Sequence, residues 1–332
     1  MRIGLAGAGR IGTAHAETLR ALPGVAEVVV ADADPRRARE AADKLGVRAA
    51  GDVGALFGAG LDALVVAAPT DAHAGLVVRA ARAGLPVFVE KPVAADLAGT
   101  IEVLAAVRGA GVPVQVGFQR RFDPGHVAAR DAVRSGRLGW VHTVRSCTLD
   151  PAPPPDEYIP ASGGLFRDCS VHDFDAVRFV TGRDVAEVTA TGANRGSAAF
   201  AEAGDVDTGA AMLTLDDGTL ALVSASRYNA AGYDVRLEVL GSLGGVVAGL
   251  DDGTPLSPAG AGLRPAGPPH TGFLERFADA YAAELRAFVR MVADGTDSPC
   301  PPEESLEAFY VAEACEISRR ERRAVAIEEV RR

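Results

Sequence analysis

Short apolar runs and longer amphipathic stretches take turns along the first third of the chain. Arg2 to Ala6 reads RIGLA, and Gly7-Ala8-Gly9-Arg10-Ile11-Gly12 follows at once. Ala14, Leu19 and Leu22 then carry a helical period as far as Pro23-Gly24. The alternation continues with a strand over Val25 to Ala31, a helix ending at Lys44 and a buried strand over Leu61 to Ala67. Ala72 to Ala83 and Asp96 to Arg108 read as helices, Leu85 to Glu90 and Val112 to Gly117 as strands. This order predicts a doubly wound parallel sheet, with ligands beyond the carboxyl ends of its strands.

The pattern changes after Gln115 to Asp123 (QVGFQRRFD), so a first domain is expected over 1–122 and a second over 123–332. A helix is predicted from Phe122 to Ser135 and a strand from Trp140 to Leu149, followed by the proline-rich loop Asp150 to Pro155. From Leu165 the apolar positions recur at helical spacing until Gly182. Val185–Thr191, Val206–Leu215, Thr219–Arg227, Tyr233–Leu240 and Gly245–Ala248 read as strands with glycine-bearing turns, Asp217-Gly218 among them. Residues 250–271 form a Gly/Pro-rich loop without a readable motif. Phe273 to Val292 and Glu303 to Ser318 are predicted helices, and Ala324 to Ile327 a closing strand.

Three clusters carry candidate chemistry. The first is the strand, glycine turn and helix at 2–22: Gly7 permits the tight turn, Gly9 lets the backbone approach a pyrophosphate, and Gly12 lets helix and strand pack closely. Arg10 and Ile11 open the helix whose N-terminus faces the phosphates. Asp32 stands 20 residues after Gly12, where a carboxylate accepts hydrogen bonds from a ribose and repels a 2′-phosphate. NAD is therefore expected over NADP, although Arg36 and Arg37 follow closely. The second cluster lies at strand ends: Pro69, Thr70 and His73, then Glu90-Lys91-Pro92. Pro92 biases Lys91 toward an extended conformation at the sheet rim, where an ammonium stabilises negative charge on a substrate oxygen or is simply solvated. The third is Gly163 to Asp175, GGLFRDCSVHDFD. Here Asp168 and His172 are four apart on one helix face, as a general base and its carboxylate would be, or as a plain surface or core pair. No second His/Glu cluster nearby supports a metal role for Asp173 or Asp175.

Composition narrows the partners. With 332 residues, 48% hydrophobic and 23% charged, the chain is of ordinary globular make-up and long enough for two domains. A formal net charge of −10 argues against nucleic acid or an anionic membrane surface as the main partner. Cys147, Cys169, Cys300 and Cys315 show no CxxC pairing, and the chain starts directly on an apolar strand. A reduced, cytoplasmic setting is expected.

GAGRIG, Glu90-Lys91-Pro92 and GG…D…HDFD, in this order, resemble the Gfo/Idh/MocA oxidoreductases over nearly the whole chain. The resemblance implies an N-terminal Rossmann domain and a C-terminal α/β domain on an open, mostly antiparallel sheet. It implies an inositol-dehydrogenase-like enzyme in which Lys91, Asp168 and His172 form the catalytic triad. It places Arg121, 30 residues after Lys91, in the substrate pocket, with Asp150, Tyr158 and Tyr233 against the polyol. Just before that aspartate the inositol branch often carries arginine, where this chain has Leu149. A homotetramer closed through the open sheet is also implied. The alternatives are a sugar oxidoreductase using the same residues and a non-catalytic dinucleotide sensor.

Overall fold

The computed structural model describes residues 1–256 and 267–331 and divides them into two compact units. The first comprises Met1–Gln119 with Asp279–Leu306, the second Arg120–Ala278 with Glu307–Arg332.

In the first unit the expected alternation forms in full. Its elements are β1 (Arg2–Ala6), α1 (Arg10–Ala21), β2 (Glu27–Ala31), α2 (Pro35–Leu45), β3 (Arg48–Ala49), α3 (Val53–Leu56), β4 (Ala63–Val66), α4 (Thr70–Arg82), β5 (Val87–Glu90), α5 (Leu97–Ala110) and β6 (Val114–Gly117). The strands pair in parallel in the order β3-β2-β1-β4-β5-β6, so the winding reverses between β1 and β4. The two-residue β3 and the single-turn α3 are too short to leave a period in the sequence. Asp34 and Asp96 cap α2 and α5 by accepting from Arg36 N–H and Gly99 N–H. Ile3, Leu5, Val28, Val65 and Phe88 form the core with Leu285, Phe288 and Met291 from the later helix.

The second unit holds a seven-stranded sheet. Its helices and strands, in chain order, begin with α6 (Pro124–Arg134), β7 (Val141–Leu149), α7 (Val171–Thr181), β8 (Val185–Ala193) and α8 (Ala198–Glu202). β9 (Thr208–Leu215), β10 (Leu220–Ser226), β11 (Asp234–Gly241) and β12 (Gly244–Ala248) follow. After the undescribed part of the 250–271 loop come α9 (Phe273–Arg276), then α10 (Ala278–Asp294), which belongs to the first unit from Asp279, then α11 (Pro302–Glu321), which joins the second unit from Glu307, and finally β13 (Val325–Ala326) and α12 (Ile327–Val330). The sheet runs β12-β11-β7-β10-β9-β8-β13, antiparallel except for β7 with β10. Inward Ala211, Leu213, Ala221 and Val223 alternate with outward Met212, Leu220 and Leu222, the period of a sheet covered on one face.

Three expectations need correction. The helix expected from Leu165 begins as a π turn over Phe166–Ser170 before α7 continues it. The helix expected over 273–292 breaks at Phe277 (φ −112°, ψ 21°), whose ring is fully buried. Its apolar spacing runs unbroken across that point, so the break is invisible in the pattern. The closing strand keeps only Val325–Ala326, because Ile327 starts α12.

Candidate active site

At the switch point of the parallel sheet, Gly7 has φ +106°, and a Cβ there would lie 2.4 Å from the Ala67 carbonyl oxygen. A Cβ at Gly12 would lie 1.9 Å from the Gly7 carbonyl oxygen, so α1 can pack on this turn only through glycine. Gly9 differs: it is the N-cap of α1 without a side-chain cap, and nothing stands within 4 Å of where its Cβ would be. That open side leaves room for a phosphate in front of the first-turn N–H groups of Arg10, Ile11 and Gly12. Asp32, at the end of β2, accepts from Ala8 N–H at 2.7 Å and Asp34 N–H at 2.9 Å. These bonds lock the carboxylate beside the glycine turn and leave lone pairs for a ribose. Arg36 hydrogen-bonds Asp34 and is exposed. The cradle, the helix N-terminus and the acceptor set fit a dinucleotide with a free ribose 2′-hydroxyl.

Pro69 is the N-cap of α4 and Thr70 its first residue. The buried ring of His73 lies against two backbone carbonyl oxygens, Pro92 at 2.7 Å through Nδ1 and Ala68 at 2.8 Å through Nε2. It ties the loop after β4 to the turn after β5. Lys91, half-buried, leaves the carboxyl end of β5. The Glu90 carboxylate lies 2.6 Å from His15 Nε2. Behind it lies Glu284 of α10, 0% exposed, with no hydrogen-bond partner for either carboxyl oxygen among the described residues. Burial, and then the Glu90 carboxylate, push Glu284 well above the usual carboxyl range. Ligand atoms of His15, Glu90 and Glu284 fall within 4.8 Å of one another. The 2.6 Å contact is nevertheless a hydrogen bond, shorter than the ~3 Å or more that tetrahedral bonds of about 2.0 Å impose.

In the second unit, Asp150 ends β7, Asp168 sits in the π turn, and Arg227 follows β10. Arg227 donates from Nη1 to Asp150 at 3.1 Å and from Nη2 to Asp168 at 2.7 Å. The Tyr158 hydroxyl donates to Asp168 at 3.2 Å, and the Cys169 thiol lies 3.5 Å from Asp150. Burial raises Asp150, and Arg227 pulls it back. Burial opposes the charge of Arg227, but Cys169, Asp168 and Asp150 outweigh it and hold the cation firmly. His172, half-buried, stands four residues beyond Asp168 in the first turn of α7. Tyr233 is buried just before β11, packs edge-on to Phe277, and is pushed up by burial.

Arg121 is drawn elsewhere: it forms a forked pair with Asp175 of α7 at 2.7 and 3.0 Å. Beside it Arg120, fully buried, donates to Asp173 at 2.8 Å and to Thr148 at 2.7 Å, and Ser146 and Thr148 donate to Asp173 as well. Asp150, Tyr158 and Asp168 are thus brought together, and Arg121 is fixed by its pair with Asp175. The residue missing from the sequence reading is Arg227. Its partners are 77 and 59 positions away, and the only local trace is a charge ending an apolar strand.

Residues 1–118 match the model of the oxidoreductase family with an NAD-binding Rossmann fold, and residues 126–247 match the GFO/IDH/MocA C-terminal domain. The chain belongs to the GFO/IDH/MocA oxidoreductases. Its cofactor is NAD. It is 42% identical to a myo-inositol dehydrogenase of Streptomyces leeuwenhoekii, over 96% of this chain and 97% of that one. The crystal structure of a myo-inositol dehydrogenase from Corynebacterium glutamicum superposes with a TM-score of 0.91 at 36% identity, covering 98% of each chain. A scyllo-inositol dehydrogenase from Lactobacillus casei, solved with NAD(H) and scyllo-inositol, gives 0.89 at 29% identity over 99% of each. No described helix is long and apolar enough to cross a membrane.

Proposed function

We propose that this oxidoreductase converts a secondary hydroxyl of a cyclitol, myo-inositol first, to the ketone. The observation that carries the reading is the braced carboxylate of Asp168, held by Tyr158 and Arg227 one helical turn before His172. Similarity to dehydrogenases of myo- and scyllo-inositol supports the substrate class. NAD, when bound, accepts the carbinol hydride. Gly7, Gly9, Arg10, Ile11 and Gly12 hold its pyrophosphate and Asp32 its ribose, with Pro69, Thr70, His73, Glu90 and Lys91 completing the cofactor site. His172 takes the hydroxyl proton, Asp168 supports the imidazolium, and Lys91 stabilises the alkoxide-like oxygen. Asp150, Tyr158, Tyr233 and Arg121, the last braced by Asp175, hold the remaining hydroxyls. Such a set discriminates strongly against analogues lacking them. We assign the dinucleotide and substrate roles to residues 1–122 and 123–332, the assembly to a homotetramer, and the setting to the cytoplasm.

The test is NAD-linked turnover across inositol stereoisomers and common sugars, with His172→Ala alongside wild type. The expected result is the highest kcat/KM for myo-inositol and a loss of kcat on the order of 10² to 10⁴-fold in His172→Ala, with NAD binding kept. Turnover of aldoses alone would move the enzyme to sugars. Tight NAD binding without turnover of any polyol would make it a sensor.

A further inference from the structure

Arg227 is 4% exposed and is shared by two carboxylates from different elements, Asp150 at the end of β7 and Asp168 in the π turn. Its Nε has no hydrogen-bond partner among the described residues, and its two Nη groups each donate to an acid. The backbone fixes it independently, since Arg227 N–H donates to Asp207 O at 2.8 Å and Asp150 N–H donates to Ser226 O at 2.9 Å. β7 and β10 run parallel with Leu149 opposite Ser226, which brings Asp150 and Arg227 out of the sheet side by side. We infer that Arg227 is a positioning residue for the proposed reaction, keeping Asp150 and Asp168 ionised together so that one serves substrate hydroxyls and the other His172. The inference rests on the reading given under Proposed function.

The physical case is one of charge. Two carboxylates that face one site without a cation between them share a proton, because the second ionisation is opposed by the first. A proton on Asp168 would leave it unable to support the imidazolium. The groups facing Arg227 are these two acids, the Cys169 thiol and, through Asp168, the Tyr158 hydroxyl; the Tyr233 phenol senses Asp150 and Cys169 from the strand beyond. Arg227 is the cation hydrogen-bonded to both acids. A lysine would bring the charge as a single point and could not span both with a rigid fork.

The test uses the full chain, with steady-state kinetics on the preferred polyol across pH for Arg227→Gln, Arg227→Lys, Asp150→Asn and the double variant Arg227→Gln/Asp150→Asn. Arg227→Gln should lower kcat by about 10²-fold near neutral pH, and the defect should shrink as pH rises and the shared proton leaves. Arg227→Lys should stay within about tenfold of wild type. Removing the like charge should bring the double variant within about tenfold of Asp150→Asn in kcat, with KM still raised. This comparison remains decisive if Arg227→Gln alone does not fold. A pH-independent loss, with Asp150→Asn multiplying it rather than relieving it, would make Arg227 mere scaffold and overturn the inference. Absence of turnover in the wild type would instead overturn the parent reading. Carboxyl ¹³C NMR of aspartate-labelled protein, assigned by Asp150→Asn and Asp168→Asn, then decides: one carboxyl of the pair titrates higher in Arg227→Gln, or the inference fails.

Discussion

Asp32 shows how much one carboxylate can be asked to do. Its two oxygens accept from Ala8 N–H in the glycine turn and from Asp34 N–H after the strand. The side chain is therefore held beside the glycine turn, where the proposed site has the ribose. Asp32→Ser removes both the acceptor and the charge that repels a 2′-phosphate. KM for NAD should rise on the order of tenfold or more, and the NAD/NADP ratio of kcat/KM should fall by a similar factor, since charge-assisted bonds are the strong ones. Steady-state kinetics with both cofactors check this, and a wild type that already prefers NADP would remove Asp32 from its assigned role. The same residue was legible in the sequence because its spacing from Gly12 is set by one helix and one strand. Arg227 was not, because the acids it joins come together only through sheet pairing. Arg120 with Asp173 and Arg121 with Asp175 were hidden for a related reason: buried charges look like surface charges until their partners are known.

At the scale of an element, α10 carries a burial that its amphipathic pattern conceals. Leu285, Phe288, Val289 and Met291 lie in the core beside Phe88, as the apolar spacing predicts. Glu284 on the same helix is buried with them, against Glu90. Its folded-state affinity for a proton is raised by burial, so the folded chain binds a proton that the unfolded chain releases above about pH 4.5. Stability from this group is complete below that pH and is lost as pH rises toward the raised folded value. Glu284→Gln keeps the shape and removes that cost. Its unfolding midpoint at neutral pH should be higher than wild type by a few degrees, with a flatter dependence on pH above the usual carboxyl range. Thermal unfolding across pH is the measurement, and a variant less stable at neutral pH would mean that an ionised Glu284 is needed. Five of the six parallel strands were read one by one, because each leaves its own period, whereas the two-residue β3 leaves none. The π turn at 166–170 and the break at Phe277 were not, since both preserve helical spacing while altering the backbone.

At the scale of the whole molecule, the second sheet has one face covered by its own unit and one face outward. The outward face carries large apolar side chains: Met212 at 43% exposure on β9, Leu220 at 42% and Leu222 at 45% on the adjacent β10, and Val247 at 43% on the edge strand β12. Arg145 and Glu238 form an ion pair on the flanking strands at 2.7 Å. Exposed apolar side chains with charges set among them are what a protein surface offers to another copy rather than to water. If the proposed homotetramer closes through this face, symmetry requires the same patch on both sides of the contact. Leu222 lies at the register Leu222↔Met212 on one side and Leu222↔Arg145 on the other, in the middle of the sheet. Leu222→Glu would set like charges against each other across such an axis without touching the inward core. Sedimentation velocity should show the wild type as a tetramer and Leu222→Glu as smaller species, with a weakening of association of several kcal/mol, on the order of an interface hot spot. NAD affinity should stay within about twofold, because the glycine turn and Asp32 belong to the other unit and sites without shared partners are nearly independent. If Leu222→Glu sediments as the wild type does, the assembly does not use this face.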